Sequence, residues 1–328
     1  MRERKRHPLR WHCLATALVL VLGLAGPGVA DEGGDLLAAP LLPLLGVPRP
    51  RPVVVDVDPP PPACAPLPMV GERLPYGPGE LLGWDLTVLG LRTGRVLAGV
   101  GERTTMDGAD VYPVQARART DGFLAVFGEV DARMVTYLEP ATSEPVRMAN
   151  KTTLAQPFGR APSITREDAA IAPARVGPSA AHGARVRARL VVTTADTQRL
   201  REARLSSGAD VLDVLSAFYW LRARQLAVGQ RFCFDVYHRK RLFRVEGRVA
   251  EIEMKTVPLG ARRALRLEAF VRGRGTTRPV RLWISDDQDR LPLLLSTPDP
   301  VGDIELRLGS FARGRPVVRR VLAGPHDG

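Results

Sequence analysis

The sequence predicts a mainly β fold, in which a single curved antiparallel sheet, a spiral or half-barrel meander, wraps around one central helix. Two observations support this fold class. Short segments with alternating apolar residues follow one another from Gly79 to Phe311, most of them joined by tight turns. One segment, Ala209–Arg224, is apolar on almost every side of a helical wheel. Such a helix must be covered on most sides, and a long antiparallel sheet curls enough to cover it.

The N-terminal residues predict a secretory signal peptide at residues 1–30. Basic residues in Met1–His12 precede the uncharged apolar run Cys13–Gly26, and Gly28–Ala30 supplies small residues for cleavage after about Ala30. The run is short for a membrane span, which needs roughly 20 residues. We therefore expect a periplasmic or otherwise exported protein with no transmembrane span after cleavage. A retained anchor helix is the alternative.

Residues 31–70 predict a linker, because prolines at this density remove backbone donors and favour an extended chain. The β-rich domain is expected at residues 71–312, and the remaining residues, 313–328, form a C-terminal tail. Between about 155 and 183 the alternation gives way to Ala, Pro, Gly and Arg. That segment predicts a loop insertion, either a lid or disordered.

Charge and composition argue against nucleic-acid binding. The formal net charge is +12, but only four of the 47 basic residues are lysines, and arginines are spread through the chain. Aromatic residues do not alternate with them, as they do on nucleic-acid platforms. We expect no nucleic-acid partner, and loose attraction to an anionic envelope surface instead.

Hairpins precede and follow the helix. Leu82, Trp84, Leu86 and Val88 alternate before a glycine-rich turn and a return strand. Further alternating segments predict strands at 111–120, 122–130, 134–139, 145–154, 185–194, 231–238, 242–254, 264–271, 280–285, 291–296 and 302–311. Successive strands joined by tight turns predict a meander, in which the order in space follows the order in sequence.

The ends of the predicted helix carry the expected capping and charged residues. Asp210 or Ser207 is expected to accept hydrogen bonds from the N–H groups of the first turn. Arg222 and Arg224 place cations at the negative end of the helix dipole. The mature chain also retains two cysteines, Cys64 and Cys233. In an oxidising compartment they predict a disulfide; a buried Cys233 with an exposed Cys64 thiol is the alternative.

The sequence carries no pattern typical of a reacting centre. His182, His238 and His326 are isolated, which argues against a metal site. Nucleophile-elbow, His-Glu-x-x-His, Cys-x-x-Cys and phosphate-loop motifs are all missing. The acidic group Asp286, Asp287 and Asp289 is interpreted as a turn. We expect no enzyme activity and no cofactor; a hydrolase using Asp286 or Asp287 is the alternative.

Three motifs together resemble a domain-of-unknown-function family of exported proteobacterial envelope proteins. They are Leu82-Gly83-Trp84 with Gly90 and Gly94, Asp213–Arg222, and Leu282–Asp287 followed by Arg290-Leu291-Pro292. The resemblance covers roughly Gly79 to Phe311. It implies a curved antiparallel sheet, similar in broad shape to the periplasmic lipoprotein carriers, and it brings no catalytic residues.

Two functions fit these observations. The first is a non-catalytic envelope protein that binds a lipid or other apolar ligand in the concave face of its sheet. Its candidate ligand-binding residues are the aromatic residues Trp84, Phe218, Tyr219, Trp220 and Trp283; for Tyr219 and Trp220 core packing is the alternative. The second is a structural or protein-interaction module with a fully packed core, which contacts an envelope protein partner through exposed strand edges.

Overall fold

A computed structural model describes residues 67–314, apart from 72, 122–127, 156–160, 174–183, 196, 274–275 and 299–302. The predicted signal peptide, nearly all of the predicted linker and nearly all of the predicted tail lie outside these residues. The predicted disulfide also lies outside them, because Cys64 is among the residues not described.

The described residues form sixteen strands and one helix, α1. The bounds are β1 Glu80–Val88, β2 Leu91–Val100, β3 Thr104–Met106, β4 Ala109–Thr120, β5 Glu129–Leu138, β6 Pro145–Ala155, β7 Ser163–Pro173, β8 Ala184–Thr193, β9 Gln198–Ser207, β10 Val211–Leu212, α1 Val214–Arg222, β11 Arg231–His238, β12 Arg241–Val257, β13 Gly260–Gly273, β14 Thr276–Ser285, β15 Pro292–Thr297 and β16 Ile304–Arg313. The mainly β prediction is therefore confirmed.

One sheet contains nearly all of the strands, and its order follows the sequence with one join. The order runs from β10 to β16, then β1, β2, β4 and on to β9, while β3 pairs only with β4. Neighbouring strands are antiparallel, except that β10 runs parallel to β11. The predicted meander is thus confirmed. Its two halves are joined by pairing of the first strand with the last, from Glu80 opposite Arg313 to Val88 opposite Ile304.

The sheet curls until its two edges approach each other. The edge strands β9 and β10 are consecutive in the chain, and Ser207 is separated from Val211 by three residues. A chain of that length spans at most about 14 Å, so the opposite edges of the sheet must lie close together. The result is a nearly closed, barrel-like sheet.

Side chains fill the seam between the two edges. Phe234 and Val236 of β11 belong to a core cluster with the helix residues Trp220 and Leu221. Tyr237 points to the other side of β11, where it packs in a separate cluster with residues of β6, β7 and β8. Its hydroxyl donates to Glu167 Oε1 of β7 at 2.7 Å. The β7–β9 end of the sheet therefore overlaps the β10–β11 end.

The helix is shorter than the sequence predicts. Val211 and Leu212, expected within Ala209–Arg224, form strand β10 and pair with Asp235 and Val236. Val211 is β-branched and Leu212 is a large apolar residue, and both lie beside the edge of β11. Backbone pairing with β11 and burial there outweigh the tendency of these residues to extend the helix. The helix has nine residues, and its N-cap is Asp213, in place of the expected Asp210 or Ser207.

The predicted loop insertion at about 155–183 is wrong for much of its length, because β7 lies within it. In β7 the inward positions Glu167, Ala169 and Ile171 are buried while Arg166 and Ala170 are exposed. Only one of these inward residues is a large apolar one, so the alternation is weak in the sequence. β9 was also not predicted, for the related reason that it consists largely of exposed polar residues.

Candidate functional site

The helix is fixed at its N-terminus by the buried side chain of Asp213. Its Oδ1 accepts from the N–H groups of Leu215 at 2.8 Å and Ser216 at 3.1 Å, and from Thr136 Oγ1 of β5 at 3.0 Å. Ser216 Oγ in turn accepts from the Asp213 N–H at 2.7 Å, which completes a capping box. Burial raises the pKa of the Asp213 carboxyl, while these hydrogen bonds lower it. The cap therefore also ties the helix to the sheet.

A buried arginine holds the opposite end of the helix. Arg222 forms a two-point ion pair with Glu80, at the start of β1, and both side chains are completely buried. Its remaining N–H groups donate to the carbonyl oxygens of Arg290, Asp289 and Pro75. A buried ion pair is stable only when such additional hydrogen bonds are present. Sequence reasoning placed Arg222 at the helix end but did not identify Glu80 as its partner.

The next arginine, Arg224, covers the ring of Trp220. Its guanidinium carbon lies 4.5 Å from the ring centroid, a cation–π geometry. Arg224 also donates to the carbonyl oxygen of Thr142 at 2.8 Å and lies 3.6 Å from Glu144. Burial of Glu144, together with the negative charge of Asp210, raises the pKa of the Glu144 carboxyl to about 7.

An apolar pocket lies between one side of α1 and the inward face of β11–β15. Its wall includes Ala217 and Phe218 of the helix and Phe232, Phe234 and Val245 of the sheet. The pocket contains about 920 Å³ of space when its open mouth is included, and its cavity is about 120 Å³. Of the lining residues, only Arg278 and Thr297 are polar or charged.

Small residues occupy the middle of one cross-strand row of inward positions beside the pocket. Cross-strand pairing aligns Phe232, Gly247, Ala269 and Val280 across β11 to β14. A Cβ atom on Gly247 would lie 2.4 Å from the Phe232 ring and 2.8 Å from Ala269 Cβ. Only glycine fits there, and the Phe232 ring packs over it. The glycine therefore allows Phe232, a residue of the pocket wall, to lie close against the sheet.

A second, much smaller cavity of about 30 Å³ lies on the other side of Phe218. Trp84, Met134, Leu215 and Tyr219 are among its lining residues. Trp84 is held in place by its Nε1, which donates to the carbonyl oxygen of Pro292 at 2.8 Å. Phe218, whose ring centroid is 6.5 Å from that of Trp84, lines both cavities.

Three of the five predicted ligand-binding residues therefore meet in one place. Trp84, Phe218 and Tyr219 lie around the small cavity, and Phe218 also reaches the larger pocket. Trp220 is buried against Phe234, with ring centroids 5.3 Å apart, and lines neither cavity. This packing agrees with the alternative in which Trp220 is a core residue.

The fifth, Trp283, lies on the opposite face of the sheet from the pocket. Its neighbours Leu282 and Val280 are in the cluster around the pocket, and alternation directs Trp283 away from them. There Lys255 of β12 lies 4.0 Å above the ring, and the indole Nε1 donates to Glu253. Trp283 is thus buried beneath the β12–β13 hairpin, away from the helix.

The strand residues that form most of the pocket wall were not singled out in the sequence. They include Phe232, Phe234 and Val236 of β11, with Val271 of β13 and Val280 of β14. Alternation within β11 placed the first three on one face. Which strands that face meets depends on pairing between distant segments, and the pattern of one strand does not contain that information.

The acidic group after β14 serves the turn, as predicted. Asp287 Oδ1 accepts from Ser285 Oγ at 2.7 Å and from the N–H groups of Asp289 and Arg290 at 3.0 Å. Asp286 and Asp287 also pair with Arg263 and Arg262 on β13. Among the described residues no cluster of three or more His, Cys, Asp or Glu side chains has the arrangement of a metal site.

Of His182, His238 and His326, the structure describes only His238, which is buried at the end of β11. Burial, together with the nearby charge of Arg239, lowers the pKa of its imidazole to about 3. A histidine held neutral in this way is a poor candidate for a proton-transfer group near neutral pH.

Part of the chain matches a known protein family. Residues 182–309 match a family described as "Protein of unknown function (DUF3108)". The predicted resemblance to a domain-of-unknown-function family is confirmed, although the matched residues begin later than Gly79 and so leave out the first hairpin. No match was found among curated proteins.

Several solved structures are similar in outline. One is a β-barrel-like protein of the domain of unknown function DUF1849 from Brucella abortus, with 10% identity, a TM-score of 0.45, and coverage of 73% of this chain and 99% of that one. Another, from Bacteroides fragilis, is described as exported with a YmcC-like fold (8% identity, TM-score 0.30, coverage 73% and 98%). A third, from Parabacteroides distasonis, is described as a lipoprotein (10%, 0.28, 73% and 97%).

Within the described part of the chain, no helix has both the length and the apolar character needed to span a bilayer.

Proposed function

We propose that this protein is an exported, non-catalytic envelope protein whose sheet wraps around α1 and binds the acyl chain of a lipid, or a similar apolar ligand, between the two. The observation that carries the proposal is the pocket between α1 and β11–β15. Its wall is apolar apart from Arg278 and Thr297, and its mouth opens to solvent. Ligand pockets in proteins commonly combine such an apolar wall with a few polar groups.

The size of the pocket supports an acyl chain end as the occupant. The cavity of about 120 Å³ is close to the apolar cavity of about 150 Å³ that binds benzene in an engineered protein. It is too small for a complete lipid. The end of one chain would enter it, while the rest of the molecule lies in the open mouth.

The two polar residues of the wall suit the other end of an amphiphile. Thr297 Oγ1 donates to the carbonyl oxygen of Pro279 at 3.0 Å, which fixes this hydroxyl at the wall. Arg278 is half-buried and lies on the same inward face of β14 as Val280 and Leu282. A guanidinium in that position would attract an anionic or polar headgroup.

Export is supported by the N-terminal sequence, in which a basic segment, an apolar run and small residues follow one another up to Ala30. The contacts of Asp286 and Asp287, the acidic residues considered for a hydrolase, support a non-catalytic function. Asp286 and Asp287 are held by arginines and by turn N–H groups, so neither carboxylate is poised to act on a substrate.

The test is native mass spectrometry of the protein purified from its own periplasm, followed by titration of the delipidated protein with a fluorescent long-chain fatty acid. We expect lipid to copurify and the fatty acid to bind one to one. A protein that arrives without lipid and does not bind the probe would overturn the proposal.

A pocket-filling variant makes the test specific. Ala217→Phe adds a ring to the helix side of the pocket, and binding of the fatty acid is expected to fall at least about tenfold, since the ring competes for the same space. Ala261→Phe adds the same ring at an exposed position of β13 and serves as the matched control. Equal binding by both variants would contradict the assignment of the pocket.

The alternative function, a structural or protein-interaction module, is favoured by β9. This strand ends the sheet order, and most of its ten residues are exposed. An unpaired strand edge can accept a strand from a partner. If the purified protein carries no lipid but recovers a stoichiometric envelope protein, and a proline at Leu200 abolishes that recovery, the alternative replaces the first proposal.

The predicted disulfide belongs to this proposal, because it would tie the end of the linker to β11. Cys233 lies in that strand, with Arg244 Nη1 at 3.7 Å from its sulfur. Peptide mapping of the exported protein without reduction is expected to give a Cys64–Cys233 crosslinked peptide. Alkylation of both sulfurs in the native protein would exclude the bond.

A further inference from the structure

The outward side of β4–β7 carries a row of basic residues that lie directly opposite one another. In the strand register, Arg117 of β4 lies opposite Arg133 of β5. Arg133 in turn lies opposite Lys151 of β6, and Lys151 lies opposite Arg166 of β7. The alternating neighbours of Arg133, Ala132 and Met134, are buried in the core, so these basic side chains point away from it.

The same surface continues onto β8 and β9. Arg187 of β8 lies directly opposite Arg204 of β9, and both are exposed. Val186 and Ala188 on either side of Arg187 are buried, which again directs the arginine outward. We call this surface, defined by Arg117, Arg133, Lys151, Arg166, Arg187 and Arg204, the basic face.

Acidic residues neutralise only part of the basic face. Asp131 accepts from Arg117 at 3.0 and 2.6 Å and lies 3.8 Å from Arg133. By contrast, Lys151, Arg166, Arg187 and Arg204 form no ion pair with any described residue. On β6 and β7 Asp168 pairs with Arg147, and the charge of these four basic residues is left over, next to the sheet edge formed by β9.

This arrangement opposes the stability of the sheet. Like charges directly opposite each other on neighbouring strands are destabilising, and an ordinary solvated surface mixes the two signs. A binding role explains why the basic residues share one row. Neighbouring strands are about 4.8 Å apart, so four strands spread the row over roughly 14 Å. That is too wide for one small anion and suits a surface that carries many anionic groups.

The composition of the face favours lipid headgroups over nucleic acid. β4 to β9 contain two aromatic residues, Tyr112 and Tyr137. Single-stranded nucleic acid is bound by combining basic grooves with aromatic rings on which the bases stack. A bilayer with anionic lipids requires only clustered basic side chains at its surface.

We infer that the basic face docks this protein onto an anionic phospholipid bilayer, with Lys151, Arg166, Arg187 and Arg204 contacting the headgroups. This docking is independent of the apolar pocket, since it uses the opposite side of the sheet and different strands.

The test is cosedimentation of the purified protein with phosphatidylcholine vesicles that contain or lack phosphatidylglycerol. We expect binding only to the anionic vesicles, and progressive loss of binding as NaCl is added. The variant Lys151→Gln/Arg166→Gln is expected to bind roughly 25-fold more weakly, at about fivefold for each basic residue removed.

The matched control is Arg231→Gln/Arg281→Gln, which removes two exposed arginines from β11 and β14 and is expected to bind like the unmodified protein. The urea midpoint of Lys151→Gln/Arg166→Gln should not fall, because the substitution relieves repulsion; this shows that lost binding does not come from unfolding. Equal loss in both variants, indifference to phosphatidylglycerol, or duplex DNA binding as tight as vesicle binding would each overturn the inference.

Discussion

Arg222 and Glu80 form a completely buried ion pair that joins the last turn of the helix to the first residue of β1. The distances are 2.6 Å from Nη1 to Oε1 and 2.8 Å from Nη2 to Oε2. The rings of Tyr219 and Tyr76 lie 5.1 and 5.6 Å from the guanidinium carbon. With its charge matched and each of its three nitrogens donating a hydrogen bond, Arg222 holds α1 firmly against the strand on which Trp84 also lies.

Glu80→Gln is expected to lower the free energy of unfolding by about 3–5 kcal/mol, because it leaves the Arg222 charge buried without its partner. Urea unfolding followed by circular dichroism measures this change. Arg92→Gln removes an ion-pairing arginine that is about half exposed and should cost less than about 1 kcal/mol. Similar costs for the two substitutions would contradict the role assigned to the buried pair.

Asp213→Ala is expected to destabilise the protein by about 1–3 kcal/mol, since it removes the cap of α1 and leaves Thr136 Oγ1 and two N–H groups without their acceptor. Asp210→Ala is the matched control, because Asp210 lies close by in the chain but does not cap the helix. It should change the urea midpoint little. A larger effect at Asp210 would favour the cap predicted from the sequence.

His238 is expected to make the protein less stable as the pH falls below about 6.5. The folded state lowers the pKa of this imidazole from 6.5 to about 3, so the unfolded state binds more protons throughout that interval. Stability must then decrease with decreasing pH. At pH 5 the contribution relative to pH 7 is about 2 kcal/mol.

The measurement compares the unmodified protein with His238→Gln by urea unfolding at pH 7 and pH 5. Carboxyl groups titrate in both proteins, so the difference between them isolates the histidine. The difference in free energy of unfolding between the two proteins should be smaller at pH 5 than at pH 7, because only the unmodified protein loses the contribution of the neutral histidine. A gap independent of pH would show that the imidazole titrates normally.

Two of the aromatic candidates should respond differently to substitution. Phe218→Ala is expected to weaken fatty-acid binding at least about tenfold, because Phe218 lines both cavities. Trp283→Phe should leave that binding unchanged, since Trp283 is buried on the far side of the sheet. Titration with the fluorescent fatty acid checks both. Equal losses would contradict the separation of these two residues.

The sequence predicted the fold class and most strands because alternation in a half-buried antiparallel strand is a local property. It failed where that local signal weakens. β7 has alanine and glutamate on its inward side, and β9 is almost entirely polar, so neither stands out from a solvated loop. The length of α1 was overestimated because Val211 and Leu212 are as apolar as the helix residues that follow.

The candidate site was predictable only in part. Aromatic residues such as Trp84 and Phe218 were identified from their size and position, and the structure places them together. Other features depend on contacts between distant segments: the face on which Trp283 lies, the packing of Phe232 over Gly247, and the partner of Arg222. Glu80 and Arg222 are separated by 142 positions, and no periodicity connects them.

Pairing of β1 with β16 has a consequence for how the chain acquires its structure. Glu80 and Arg313 sit side by side in the finished sheet, although they are among the first and the last described residues to emerge during synthesis. Contacts between such distant segments form slowly, because a large loop must be closed first. One side of β1 therefore stays unpaired until β16 has been synthesised. A truncated chain ending before Ile304 would never satisfy that side.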